Sequence, residues 1–119
     1  MTTVRLPFPV TANRRLTKAK GGRVILTEHY RGWLKEAAQE IMAQRARHVP
    51  GEVSVRLELV APDARKRDAD NTLKCVLDAL VTGHVIEDDS NRVVKSIAVE
   101  WVEQGHPCVV HVLPLERTA

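Results

Sequence analysis

A chain of 119 residues is long enough for one domain with its own core, and its 44% apolar and 28% charged content is that of an ordinary water-soluble protein. No apolar run approaches a membrane span and no signal peptide opens the chain, so the expected setting is the cytoplasm. The net charge of +3 is modest but unevenly placed: Arg5, Arg14, Arg15, Lys18, Lys20 and Arg23 all precede the first acidic residue, Glu28, and twelve basic residues face fifteen acidic ones in the rest.

Residues 3–8 read as a short first strand closed by Pro7 and Pro9. Residues 9–23 follow as a long polar loop, with Asn13-Arg14-Arg15 and Gly21-Gly22 inside it. A basic arm on a slightly acidic body points to a polyanionic partner such as nucleic acid, with a merely solvated tail as the plain alternative, so Asn13, Arg14, Arg15, Lys18, Lys20 and Arg23 are candidate contacts for it. Arg23 to Leu26 suggests a second short strand. Thr27 is placed to cap a helix running to about Arg47, with Glu28 in its first turn. Tyr30, Trp33, Leu34, Ala37, Ala38, Ile41 and Met42 form its apolar stripe, while Arg45, Arg47 and His48 gather at its end.

Pro50-Gly51 breaks the chain, and Val53, Val55, Leu57 and Leu59 then alternate with polar residues as a half-buried strand ended by Pro62. Asp63 to Arg67 approach the next helix, with Arg65, Lys66 and Arg67 as further candidate DNA contacts. That helix covers about Asn71 to Thr82, with Leu73, Val76, Leu77, Leu80 and Val81 on its buried stripe and Gly83 suited to follow it. Ile97, Val99 and Trp101 mark another strand starting near Val93. Gln104-Gly105 turns it into a hairpin with Cys108 to Leu113, and a polar tail follows. Cys75 and Cys108 have neither Cys-x-x-Cys nor zinc spacing and read as reduced packing residues. Phe8, Tyr30, Trp33 and Trp101 are too scattered to suggest a base-stacking platform.

Chemistry concentrates where the chain enters the second helix. In an extended backbone, residues two apart point the same way, so Asp68 and Asp70 project into one volume. Lys74 lies four residues after Asp70, on the same helical face, with Asp78 one turn further. A carboxylate pair with a lysine and a preceding Arg-Lys-Arg suits a divalent cation facing a phosphate. The plain alternative is that Asp70 or Asn71 caps the helix and Asp70–Lys74 is a surface ion pair. An EF-hand is excluded, because its required Gly and Glu positions hold Leu73 and Ala79. Asp88 and Asp89 join the site only if the loop before Val93 folds over the helix N-terminus. Converging oxygen ligands would favour Mg²⁺ or Mn²⁺ over zinc.

The stretch Arg67-Asp68-Ala69-Asp70-Asn71-Thr72-Leu73-Lys74, followed by Leu77-Asp78-Ala79-Leu80 and Ile86-Glu87-Asp88-Asp89-Ser90, resembles the signature of RusA-type Holliday junction resolvases. Leu6-Pro7-Phe8-Pro9 with Asn13-Arg14 resembles the opening of that family, and the similarity runs in order over nearly the whole chain. The resemblance implies a small homodimeric α/β nuclease that cuts four-way DNA junctions with Mg²⁺, for which Mn²⁺ can substitute. It implies Asp68, Asp70 and Asp89 as catalytic metal ligands, with Asp89 placed ahead of Asp88, Lys74 as the catalytic lysine and Arg67 as the basic residue beside the site. Thr72 stands where the family often has Leu. Ala12 and Leu16 stand where its N-terminal loop often carries a second Asn or an aromatic, which bears on substrate contacts more than on chemistry.

The reading is therefore a single domain over residues 1–119, of α/β (α+β) class: two layers, a mixed sheet and two main helices. Its expected function is metal-dependent resolution of Holliday junctions in DNA recombination and repair. Two alternatives stay open. One is a Mg²⁺-dependent nuclease acting on flaps, forks or other branched DNA, and the other is a non-catalytic DNA-binding module whose carboxylates only cap a helix.

Overall fold

Alternation along four strands builds one mixed sheet, and two helices cover one of its faces. The computed structural model describes residues 1–11 and 14–115, so Asn13 and the end of the polar tail lie outside the described residues. In chain order the elements are β1 (Thr2–Leu6), β2 (Leu16–Lys18), β3 (Val24–Leu26), α1 (Glu28–Ala43), β4 (Val53–Val60), a 3₁₀ turn (Ala69–Thr72), α2 (Leu73–Thr82), β5 (Val94–Val102) and β6 (Cys108–Pro114). The sheet order is β1-β6-β4-β5. β6 runs antiparallel to both β1 and β4, and β5 runs parallel to β4. A parallel neighbour needs a crossover, and α2 supplies it.

Two layers follow from the burial pattern. Val53, Val55, Leu57 and Leu59 of β4 are fully buried with Val110 and Val112 of β6, against Tyr30, Trp33, Ala37 and Ile41 of α1 and Cys75, Val76, Ala79 and Leu80 of α2. Each fully buried aliphatic side chain contributes on the order of 1.5–3 kcal/mol. The opposite sheet face is polar. Ser54 meets Ser96 at 2.7 Å, Arg56 meets Glu100 at 3.0 Å, and His111 lies between Thr3 (3.0 Å) and Glu58 (2.5 Å). Among the described residues, no helix is long and apolar enough to cross a membrane.

Several sequence expectations change. β5 and β6 are not a hairpin, because β4 lies between them and β6 fills the slot between β4 and β1. Residues 9–23 are not loop throughout, because Leu16–Lys18 pairs with Val24–Leu26 in a small exposed hairpin. Three residues with one apolar side chain give no readable alternation. α1 stops at Ala43 rather than near Arg47: Arg45 turns left-handed at φ 54°, and the N–H of Ala46 closes the end on the Ile41 carbonyl at 3.1 Å. Met42 is off the buried stripe at 80% exposure.

Candidate active site

The approach to α2 is tied down before the first candidate carboxylate. Asp63 accepts from Arg67 Nη1 at 2.6 Å and Nη2 at 3.0 Å, and from the side chain of Arg65 at 3.1 and 3.2 Å. Arg67 first, and Arg65 with it, hold the Asp63 carboxyl well below the usual carboxylate range. Arg67 also lies over the Phe8 ring, 5.7 Å from its centroid, and Phe8 stacks on Trp101 at 6.3 Å. Two of the four aromatics thus meet after all. The Pro7–Val10 segment is pinned to the helices, with Trp33 Nε1 donating to the Pro7 carbonyl at 3.2 Å and Cys75 Sγ to that of Val10 at 3.1 Å. A cleft of about 280 Å³ opens here, lined by Phe8, Thr11, Arg14, His29, Arg65, Lys66 and Arg67 among others.

Asp68 and Asp70 come next, and both are exposed. Asp68 is extended at φ −93°, ψ 125°, whereas Asp70 already belongs to the 3₁₀ turn, so the extended-chain argument covers only the first of them. Neither Asp68 nor Thr72 makes a side-chain cap, and the Thr72 hydroxyl donates instead to the Ala69 carbonyl at 2.6 Å. The two carboxylates make no hydrogen bond or ion pair with any described residue. The capping role open to Asp70 and Asn71 in the sequence is therefore unused.

Lys74 does not pair with Asp70. Through a 3₁₀ turn the chain advances three residues per turn, which rotates Asp70 away from the face it would share in an α-helix. Lys74 Nζ instead meets Asp78 Oδ1 at 3.1 Å and Asp89 Oδ2 at 3.6 Å. Asp78 foremost raises the pKa of this ammonium. The other Asp78 oxygen accepts from the hydroxyl of Tyr30. Burial, and then this bond, push Tyr30 above its usual range, so it remains a neutral donor. Arg15 lies over the Tyr30 ring at 5.8 Å. A second cleft of about 360 Å³ sits here, with Arg15, Tyr30, Asp78 and Asp89 on its wall.

In the loop after α2, Asp88 and Asp89 have different partners. Asp88 bonds within its own turn, to Ser90 and nearby backbone N–H groups, which lowers its pKa. Asp89 faces Lys74. The candidate ligands are all carboxylates, a donor set that fits a hard divalent cation. Asp68 and Asp70 pair with no described residue, whereas Asp89 meets Lys74. Among the described residues no three His, Cys, Asp or Glu side chains gather closely enough to hold an ion.

Of the basic candidates, Arg14, Arg65, Lys66 and Arg67 line the first cleft and Arg15 the second. Lys18, Lys20 and Arg23 lie in the β2–β3 hairpin and its turn. Asp63, Asp78 and Tyr30 were not among the expected site residues. Asp63 stands two and four residues before its arginines and Asp78 four after Lys74, so ion-pair spacing was a usable signal. Tyr30 had none, being indistinguishable from core.

A family model described as endodeoxyribonuclease RusA matches residues 7–112. The chain is 32% identical over 104 residues to a crossover junction endodeoxyribonuclease RusA of Aquifex aeolicus (strain VF5), covering 87% of this chain and 82% of that one. It is 29% identical over 100 residues to a crossover junction endodeoxyribonuclease rusA of Enterobacteria phage HK97, covering 79% and 82%.

Proposed function

The chain belongs to the RusA endodeoxyribonuclease family, and from that premise we propose that it is a metal-dependent nuclease resolving four-way DNA junctions by paired phosphodiester hydrolysis. One observation carries the site assignment: Asp68 and Asp70 are two carboxylates one residue apart that neither cap the helix nor pair with a described side chain, where the chain passes from the Arg65–Arg67 approach into the helix that carries Lys74. In this reading Asp68, Asp70 and Asp89 hold Mg²⁺ or Mn²⁺. When bound, the ion supplies an activated water and neutralises phosphate charge. Lys74 directs its ammonium at the charge that builds on the phosphoryl oxygens. Arg14, Arg15, Lys66 and Arg67 hold the DNA backbone, a sequence-independent attraction weakened by salt.

A junction with two-fold symmetry needs two matched cuts, and one site per chain makes one, so the working form in this reading is a homodimer. Support comes from β5, the sheet edge, where Ile97 and Trp101 remain 41% and 38% exposed on the face that is buried elsewhere.

The test is Asp70→Asn. It removes one negative charge and keeps the shape. Cleavage should fall roughly a hundredfold or more, while junction affinity in EDTA is kept or tightened, since a repelling charge is gone. The thermal midpoint should not move. Near-normal cleavage by a folded Asp70→Asn protein would remove Asp70 from the catalytic set.

A further inference from the structure

We infer that Asp78, oriented by the Tyr30 hydroxyl, is the positioning residue that holds the Lys74 ammonium in the active site; this rests on the reading of Lys74 as catalytic. A lysine is a point charge on a flexible stem, and fixing it in one rotamer costs side-chain entropy. Lys74 is 45% exposed in its side chain, so packing does not fix it. Its two contacts differ in kind. Asp89 comes from a loop and has a proposed task of its own, whereas Asp78 sits one turn along the same helix, where the backbone sets the spacing, and it makes the closer contact.

Both Asp78 oxygens are committed. Oδ2 accepts from Tyr30, and Oδ1 faces Lys74, which fixes the plane of the carboxylate. Tyr30 is itself immobile, at 1% exposure in α1, with its amide on the Thr27 cap at 3.1 Å and its ring in the core. The chain of contacts thus runs from a buried core side chain, through a largely covered carboxylate, to the ammonium and on to Asp89. An ordinary exposed i,i+4 ion pair contributes little and does not by itself call for a buried tyrosine hydroxyl directed at one of its members. The competing account is that Asp78 merely satisfies that hydroxyl, which needs a partner once buried. The two accounts differ in whether Asp78 matters when Lys74 is gone.

The experiment is a double-mutant cycle, read by single-turnover cleavage of a labelled four-way junction in saturating Mg²⁺, by junction affinity in EDTA and by thermal midpoint. The proteins are wild type, Lys74→Ala, Asp78→Asn and the double variant. Unchanged cleavage by Lys74→Ala overturns the reading of the lysine, and this inference with it. With Lys74→Ala slow, Asp78→Asn should lower the rate roughly tenfold to a hundredfold, the cost of misplacing a reacting group, and leave affinity near wild type. In the double variant the rate should equal that of Lys74→Ala alone. Wild-type cleavage by Asp78→Asn, or losses that multiply in the double variant, overturns the positioning role while leaving Lys74 catalytic. If Asp78→Asn does not fold, Tyr30→Phe, which removes only the hydroxyl, enters the same cycle with the same criteria.

Discussion

Asp68 and Asp70 differ from the other carboxylates around them in pairing with no described residue. Asp63 carries two arginines, Asp78 a lysine and a tyrosine, Asp88 its own turn, and Asp89 the lysine. On the proposed reading, what Asp68 and Asp70 hold is a divalent cation from outside the chain. Burial sorts the two cysteines as clearly. Cys75 and Cys108 are both buried, and burial pushes each thiol up to about 12. The thiolate is the nucleophile, so native protein at pH 8 should react with iodoacetamide far more slowly than urea-unfolded protein, whose thiols titrate near 8.5. Labelling of the native protein at the unfolded rate would contradict the burial. Asp68, Asp70 and Lys74 stand out in the sequence by their spacing, whereas Asp89 enters only through the family resemblance. Which groups they touch is only partly legible: Asp78 stands at ion-pair spacing from Lys74, but the 3₁₀ turn that parts Lys74 from Asp70 and the loop that returns Asp89 leave no trace in spacing.

Element ends carry their own lesson. Gly83 looks like the left-handed residue that closes α2, yet its φ is −82°, and the left-handed position is His84 at φ 59°. Glycine is needed at 83 for space: an added Cβ would lie 2.8 Å from Ile41 Cδ1 and 3.1 Å from the Ala79 carbonyl oxygen. Gly83→Ala gains about 0.4–1 kcal/mol from a stiffer unfolded chain, but forcing a methyl into this contact costs about 1–3 kcal/mol. Net destabilisation of about 1 kcal/mol is expected. His84→Gly should do the reverse, since relief of about 1–2 kcal/mol of left-handed strain outweighs the flexibility that glycine adds. Urea midpoints should move in opposite directions, and a shared direction would refute this account of the helix end. Strands show the same division. Alternation located β4, β5 and β6, but pairing is a property of the whole sheet, so the parallel β4–β5 pair was hidden until α2 was seen as its crossover.

At the scale of the molecule, charge and shape divide the faces. The open sheet face is polar but internally paired, through Arg56–Glu100 and Glu58–His111. The second cleft lies between the two helices, the first between His29 of α1 and the Arg65–Arg67 approach to α2, and Asp68 and Asp70, which pair with no described residue, lie just before α2. The exposed β2–β3 hairpin adds Lys18, Lys20 and Arg23 to the same half of the chain as Arg14 and Arg15. Basic residues along the clefts, with two carboxylates that pair with no described residue, suit a nuclease better than a passive DNA binder, whose acidic residues would only repel phosphate. The most direct test is cleavage of a labelled four-way junction, a replication fork and linear duplex, each with Mg²⁺ and with EDTA. The account predicts paired, symmetric cuts in the junction with Mg²⁺, much weaker cutting of fork and duplex, and no cutting in EDTA. Undiminished cleavage in EDTA, or a folded protein that binds the junction and never cuts it with Mg²⁺, would contradict it.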